Sequence, residues 1–183
     1  MNTKNSWKCK YALGLIAVSF MLGLAFGMGF RVNLTASLPK GIYRLTDAIP
    51  GRGDLVTFCL ESSNPFCGLA GERGYLPAGS CPSGLQSLLK RLAGVPGDYV
   101  EITPAGLALN GRPLPGTARP ERDRLGRDLP PSLLKGGFIP DGMALVLSQE
   151  HPGSFDSRHF GLIPLASLQT AAPVWLWDGT EKP

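Results

Sequence analysis

The sequence predicts a mainly β protein in which one N-terminal transmembrane helix is followed by an irregular antiparallel β domain. Three observations lead there. Tyr11 to Phe30 carries no charge. Beyond it, 24 glycines and 17 prolines over the whole chain break the remainder into short apolar pieces. Several of those pieces are bounded by turn dipeptides of the kind that join neighbouring strands.

The helix comes first. At about 1.5 Å per residue the uncharged stretch reaches roughly 30 Å, the thickness of a bilayer core. Lys4, Lys8 and Lys10 precede it and Arg31 follows. Lysine-rich flanks stay on the cytoplasmic side. The expected organisation is a cytoplasmic tail over 1–10, an anchor over 11–30 and an outer domain over 31–183. A cleaved signal peptide is the alternative, but its apolar region usually runs for about 7–15 residues.

Asp54-Leu55-Val56-Thr57-Phe58 reads as a strand after a glycine-rich turn. Leu85, Leu88, Leu89 and Leu92 fit a helical spacing, yet Val95-Pro96-Gly97-Asp98 closes the segment with a type II turn signal. If the segment is a strand instead, Lys90 and Arg91 face opposite sides. Tyr99–Ile102 and Leu107–Leu109 form the next strands, and Asn110-Gly111 marks a hairpin turn because both residues tolerate positive φ. Arg112 to Pro131, rich in Pro and Arg, reads as an exposed loop, with a functional flap as the alternative. Ala144–Leu147 follows a Pro-Asp-Gly turn, and Val174–Trp177 forms a last short strand. Phe138, Ile139, Trp175 and Trp177 are read as core residues, with interfacial anchoring as the alternative.

Charge and cysteines narrow the function. The net charge is +4, but three of the 18 basic residues precede the span and none of the 14 acidic ones does. The outer domain is thus close to neutral, and no nucleic-acid footprint is expected. Cys59, Cys67 and Cys81 lie outside, so at most one intrachain bridge forms among them. No metal-ligand spacing is present, and no cofactor or metal is expected.

Two blocks carry the chemistry. Asn33-Leu34-Thr35-Ala36-Ser37-Leu38-Pro39 places a serine within at most about 25 Å of chain from Phe30, near the outer membrane surface. Lys90-Arg91-Leu92-Ala93-Gly94-Val95-Pro96-Gly97-Asp98 places a lysine among leucines. A serine hydroxyl needs a base, and a lysine serves as one once burial disfavours its ammonium form.

These blocks, with Ser154-Phe155-Asp156-Ser157-Arg158 in the same order along the chain, resemble the signal peptidase family that works by a Ser/Lys dyad. The Gly-Asp-Asn that often precedes the third block in secretory members is absent. Arg73-Gly74-Tyr75-Leu76 and Gly79-Ser80-Cys81-Pro82 instead resemble the conjugative transfer peptidases of the TraF type. The resemblance implies a signal-peptidase-like β domain with Ser37 as nucleophile and Lys90 as general base. The backbone N–H of Ser37 and the hydroxyl of Thr35 would be oxyanion donors. Ser157 would orient the Lys90 amine, Asp156 and Arg158 would form a supporting ion pair, and Cys59 would bridge Cys81. The implied substrate is a membrane-bound conjugative pilin precursor that is closed into a ring. The bilayer and other proteins of the conjugation apparatus are the implied partners, and the implied location is the bacterial inner membrane with the catalytic domain periplasmic.

Three alternatives stand beside this reading. Ser37, His159 and Asp156 have the letters of a triad, though triads are defined by geometry. A general secretory signal peptidase would use the same dyad on other preproteins. A noncatalytic bitopic assembly protein of a conjugation apparatus would need neither.

Overall fold

The computed structural model describes residues 6–149 and 151–177. Residues 1–5 of the expected tail lie outside them. Helix α1 (Ser6–Gly27) contains a stretch, Lys10–Gly27, long and apolar enough to cross a membrane. It stops at Gly27 rather than at the expected Phe30, because Gly29 adopts a φ of +86° and turns the chain into a strand. Arg31 folds back on the helix end. Its guanidinium donates to the Phe26 and Phe30 carbonyls and lies 3.7 Å from the Phe26 ring centre. A cation at the carbonyl end of a helix is favourably placed.

The domain proper is built from β1 (Phe30–Asn33), β2 (Gly41–Thr46), β3 (Leu55–Phe58), α2 (Pro65–Glu72), β4 (Leu88–Gly94), β5 (Tyr99–Thr103), β6 (Gly106–Leu109), β7 (Arg112–Leu114), β8 (Gly137–Phe138), β9 (Met143–Leu147), α3 (Ser157–Phe160), β10 (Ile163–Pro164) and β11 (Gln169–Leu176). A seven-stranded sheet runs β1-β2-β11-β3-β4-β9-β10, and a four-stranded sheet runs β7-β6-β5-β8. All pairings are antiparallel, as the sequence predicts.

The ambiguous leucine segment is strand β4. Its burial alternates with period two: Leu88, Lys90, Leu92 and Gly94 point inward while Leu89, Arg91 and Ala93 are half-buried. Pairing with β3 on one side (Val56 opposite Lys90) and β9 on the other (Leu92 opposite Val146) overrides the helical spacing. Gly94 has a steric reason, since a Cβ there would lie 2.7 Å from Ile139 Cδ1. Gly97 takes the positive φ of the expected turn, and the Asp98 carboxylate holds that turn by accepting from the Val95 N–H, Arg52 and Asn110. Asn110 and Gly111, at φ +53° and +74°, form the expected hairpin.

The core lies against both sheets. Val56, Leu92, Val146 and Phe160 fill one cluster, and Val100, Leu109, Ile139 and Leu145 another. Strand β9 feeds both, which is why Ala144–Leu147 is apolar on both faces.

Three expectations change. The last strand is longer than Val174–Trp177, because β11 starts at Gln169 and pairs with both β2 and β3, shifting register between Pro173 and Trp175. A proline that cannot donate to the ladder accounts for the irregularity. Of the four residues read as core, only Ile139 is buried; Phe138 is 73% exposed, Trp175 62% and Trp177 43%. The segment from Arg112 to Pro131 is no simple exposed loop. It begins as β7, buries Thr117 under the Leu107 N–H, and closes a small turn through an Arg122–Asp128 bridge.

Candidate active site

Ser37 sits in the turn between β1 and β2. Leu38 and Tyr43 pin that turn into a small core with Leu55 and Ala171, and the Tyr43 hydroxyl donates to the Pro39 carbonyl. The organiser is Asn33, the last residue of β1 and largely buried. Its Nδ2 donates to the carbonyls of Leu38 (3.1 Å), Pro39 (3.1 Å) and Thr35 (3.3 Å), while its Oδ1 accepts from Thr35 N–H (3.1 Å) and Thr35 Oγ1 (2.7 Å). Thr35 Oγ1 is also 3.1 Å from Ser37 Oγ. A hydroxyl has one proton and a carbonyl-type oxygen can only accept. The Thr35 proton therefore points to Asn33, and the Ser37 hydroxyl donates to Thr35. As it stands, Thr35 orients Ser37; acting as an oxyanion donor would require its hydroxyl to turn away from Asn33.

Lys90 projects inward from β4 between Leu88 and Leu92 and is 5% exposed. Its Nζ donates to Ser154 Oγ at 2.9 Å. The expected partner was Ser157. That hydroxyl instead accepts from the Val146 N–H of β9 at 3.0 Å, because Ser157 opens α3 and faces the sheet. The orienting hydroxyl is thus the first serine of the Ser-x-Asp-Ser-Arg block.

Asp156 and Arg158 form the expected ion pair, with both side chains buried. The carboxylate accepts from Arg158 Nε and a terminal guanidinium nitrogen (both 2.8 Å), from Arg158 N–H and from Ser148 N–H. The guanidinium also donates to Pro152 and Gly116 carbonyls. The pair holds the segment that carries Ser154.

His159 does not join a triad. The Asp156 carboxylate is occupied as above, and His159 Nδ1 has no hydrogen-bond partner among the described residues. The ring packs against Phe66 and Phe155. Burial lowers its pKa to about 4; Asp156 pulls the other way, and Arg119 and Arg158 reinforce the drop. An unfolded histidine titrates near 6.5, so between about 6.5 and 4 the unfolded chain binds a proton that the folded chain refuses. Stability is expected to fall as pH drops through that window. Urea titrations from pH 7 to 4 should show His159→Gln losing part of this slope, and an unchanged slope would count against a neutral buried imidazole.

Ser37, Lys90 and Ser154 line one cavity of about 1130 Å³. Ala118 to Pro120 and Arg122 to Leu125 line part of it. That segment is tied down by Asp123, whose carboxylate accepts from Tyr75 Oη (2.6 Å) and Arg127 Nε (2.7 Å). The hydrogen bond from Tyr75 and the contacts to Arg127 hold the Asp123 carboxyl well below the usual carboxylate range. Tyr75 lies in the stretch between α2 and Cys81, and Cys59 and Cys81 are disulfide-bonded, as the resemblance implies. Cys67 is free and buried.

Sequence reasoning gave no role to Asn33, Ser154 or Arg119. Ser154 was in view as part of its block; Asn33 and Arg119 had no signal beyond lying near Ser37 and in the arginine-rich loop.

Comparison with known proteins agrees with this picture. A family model described as signal peptidase, peptidase S26, matches residues 7–177. The chain is 35% identical over 167 residues to the plasmid transfer protein TraF of Escherichia coli, covering 91% of this chain and 94% of that one. It is 38% identical over 158 residues to a probable conjugal transfer protein TraF of Sinorhizobium fredii, covering 84% and 80%. A probable signal peptidase I-2 of Synechocystis is 28% identical over 148 residues, covering 80% of this chain and 56% of that one. With a matching model over nearly its whole length, this chain belongs to the signal peptidase family, peptidase S26.

Proposed function

We propose that the protein is a membrane-anchored serine endopeptidase, N-terminus cytoplasmic and domain periplasmic, that matures a conjugative pilin precursor and closes it into a ring. The observation that carries this reading is the shared cavity of Ser37 and Lys90, with Lys90 buried between leucines and oriented by Ser154. Burial disfavours the ammonium and leaves an amine able to take the Ser37 proton. Ser37 Oγ then attacks the scissile carbonyl, the amine of the departing segment leaves with that proton, and a serine ester remains. The similarity to plasmid and conjugal transfer proteins supports the choice of substrate.

Location supports a membrane-bound substrate. Ser37 follows α1 by one short strand, and Val32, Leu34, Val174 and Trp175 are exposed apolar side chains on or beside strands β1 and β11, which flank β2. Such side chains suit the membrane–water interface. A precursor in the same bilayer would present its cleavage site at that level.

The ester is open to water or to an amine. If the pilin's own N-terminal amine is held beside it, the effective concentration reaches about 10⁵–10⁸ M for a well-oriented pair. The amine displaces Ser37 Oγ, forms the new amide and returns the proton. Mass spectrometry of pilin made with and without this protein tests the outcome. The expected product is lighter than the linear one by one water and has no free N-terminal amine. A linear product from active enzyme would favour an ordinary secretory signal peptidase, and unprocessed pilin beside intact protein would sink the peptidase reading.

A further inference from the structure

The cavity contains a second polar centre apart from Ser37 and Lys90. Arg119 and His159 both line it, and each carries a buried nitrogen, Arg119 Nε and His159 Nδ1, with no hydrogen-bond partner among the described residues. Unsatisfied buried polar atoms are rare and point to a missing partner.

The charges around them sort unevenly. Arg73 and Arg127 pair with Asp123, Arg122 pairs with Asp128, and Arg158 is neutralised by Asp156. Arg124 meets His151 instead of an acid. Arg119 donates to the Pro130 carbonyl and has no carboxylate within ion-pair distance among the described residues. It is half-buried, its desolvation is uncompensated, and Arg158 is close enough to add repulsion. The Arg158 guanidinium donates to the Ala118 carbonyl, which brings the chain at Arg119 beside the chain at His159, and Arg119 is one of the charges that disfavour a proton on His159. A half-buried guanidinium facing a cavity beside an orphaned imidazole nitrogen lacks an anion that accepts from both. In a peptide ligand the group of that chemistry is a carboxylate.

We propose that Arg119 and His159 form a carboxylate-binding subsite of the cleft, which holds an acidic group of the peptide being processed. The donors are Arg119 Nε–H and His159 Nδ1–H, with the imidazole neutral. The carboxylate belongs either to a Glu or Asp side chain or to the free end of the peptide. The segment that carries Arg119 along the cavity is tethered through Asp123 to Tyr75. The subsite rests on the peptidase reading for the identity of its ligand.

The test uses the full chain in detergent micelles with Ser37→Ala, so that binding is read without turnover. Three rhodamine-labelled alanine hexapeptides serve as probes: one with a free C-terminal carboxylate, one C-terminal amide containing a single Glu, and one C-terminal amide with no acid. By fluorescence anisotropy, at least one carboxylate peptide is expected to bind about tenfold tighter than the neutral one. Whichever peptide gains identifies the source of the carboxylate. Arg119→Gln should remove the advantage, and Arg119→Lys should keep only part of it because it retains charge without Nε. If Arg119→Gln melts lower than its parent, the lysine variant carries the comparison. Equal binding of all three peptides, no binding of any, or an advantage that survives loss of Arg119 overturns the subsite. Precursor processing by the wild-type protein is scored separately, so failure of the subsite is distinct from failure of the peptidase reading.

Discussion

Arginine in place of Lys90 is expected to reduce precursor processing by at least about 10³-fold, close to the loss from Ser37→Ala, while both variants still accumulate in the membrane. Arginine keeps the positive charge and much of the reach, but it does not give up its proton in a protein. It therefore separates two roles for the same position. If Lys90 only supplies a cation, Arg restores function. If it takes the Ser37 proton, Arg is dead. The buried position between Leu88 and Leu92 and the donor contact to Ser154 Oγ favour the second role. Ser154→Ala should weaken processing less than loss of Lys90, since it removes orientation but not the amine. The wild-type rate should rise with pH as the amine loses its proton, and Ser154→Ala should shift that profile. Processing by Lys90→Arg within tenfold of wild type would end the base assignment, and processing by Ser37→Ala would favour a noncatalytic assembly role.

The second large effect concerns stability. Asp156→Ala leaves the Arg158 guanidinium buried without its carboxylate, and a broken buried pair of this kind costs about 3–5 kcal/mol. The Ser148 N–H loses its acceptor at the same time, and the segment bearing Ser154 loses its anchor. Urea unfolding of the purified full chain should show the loss. Asp156→Leu combined with Arg158→Leu should cost less than the two single changes together, because no charge is then stranded. Additive losses in that double-mutant cycle would mean that the two side chains act separately.

Much of this protein can be read along the chain. The apolar helix, the antiparallel β class and the hairpin at Asn110-Gly111 are local or periodic properties, and short-range sterics and hydrophobicity govern them. Ser37 and Lys90 were singled out by the resemblance of their blocks to those of the signal peptidase family, and the structure places both on one cavity. The state of Leu88–Gly94 was not legible, since helical leucine spacing and strand alternation overlap there; only β3 and β9 on either side decide it. The orienting hydroxyl was misassigned for a related reason. Ser154 and Ser157 lie within one short block, and which of them faces Lys90 depends on where α3 begins and on the β9 N–H that claims Ser157. Asn33 and Arg119 became visible only in three dimensions, and His159, a triad candidate by its letters, was removed from that role only by its packing. A buried hydrogen-bond hub and a guanidinium with no carboxylate among the described residues are defined by what surrounds them, and tertiary packing sets those surroundings.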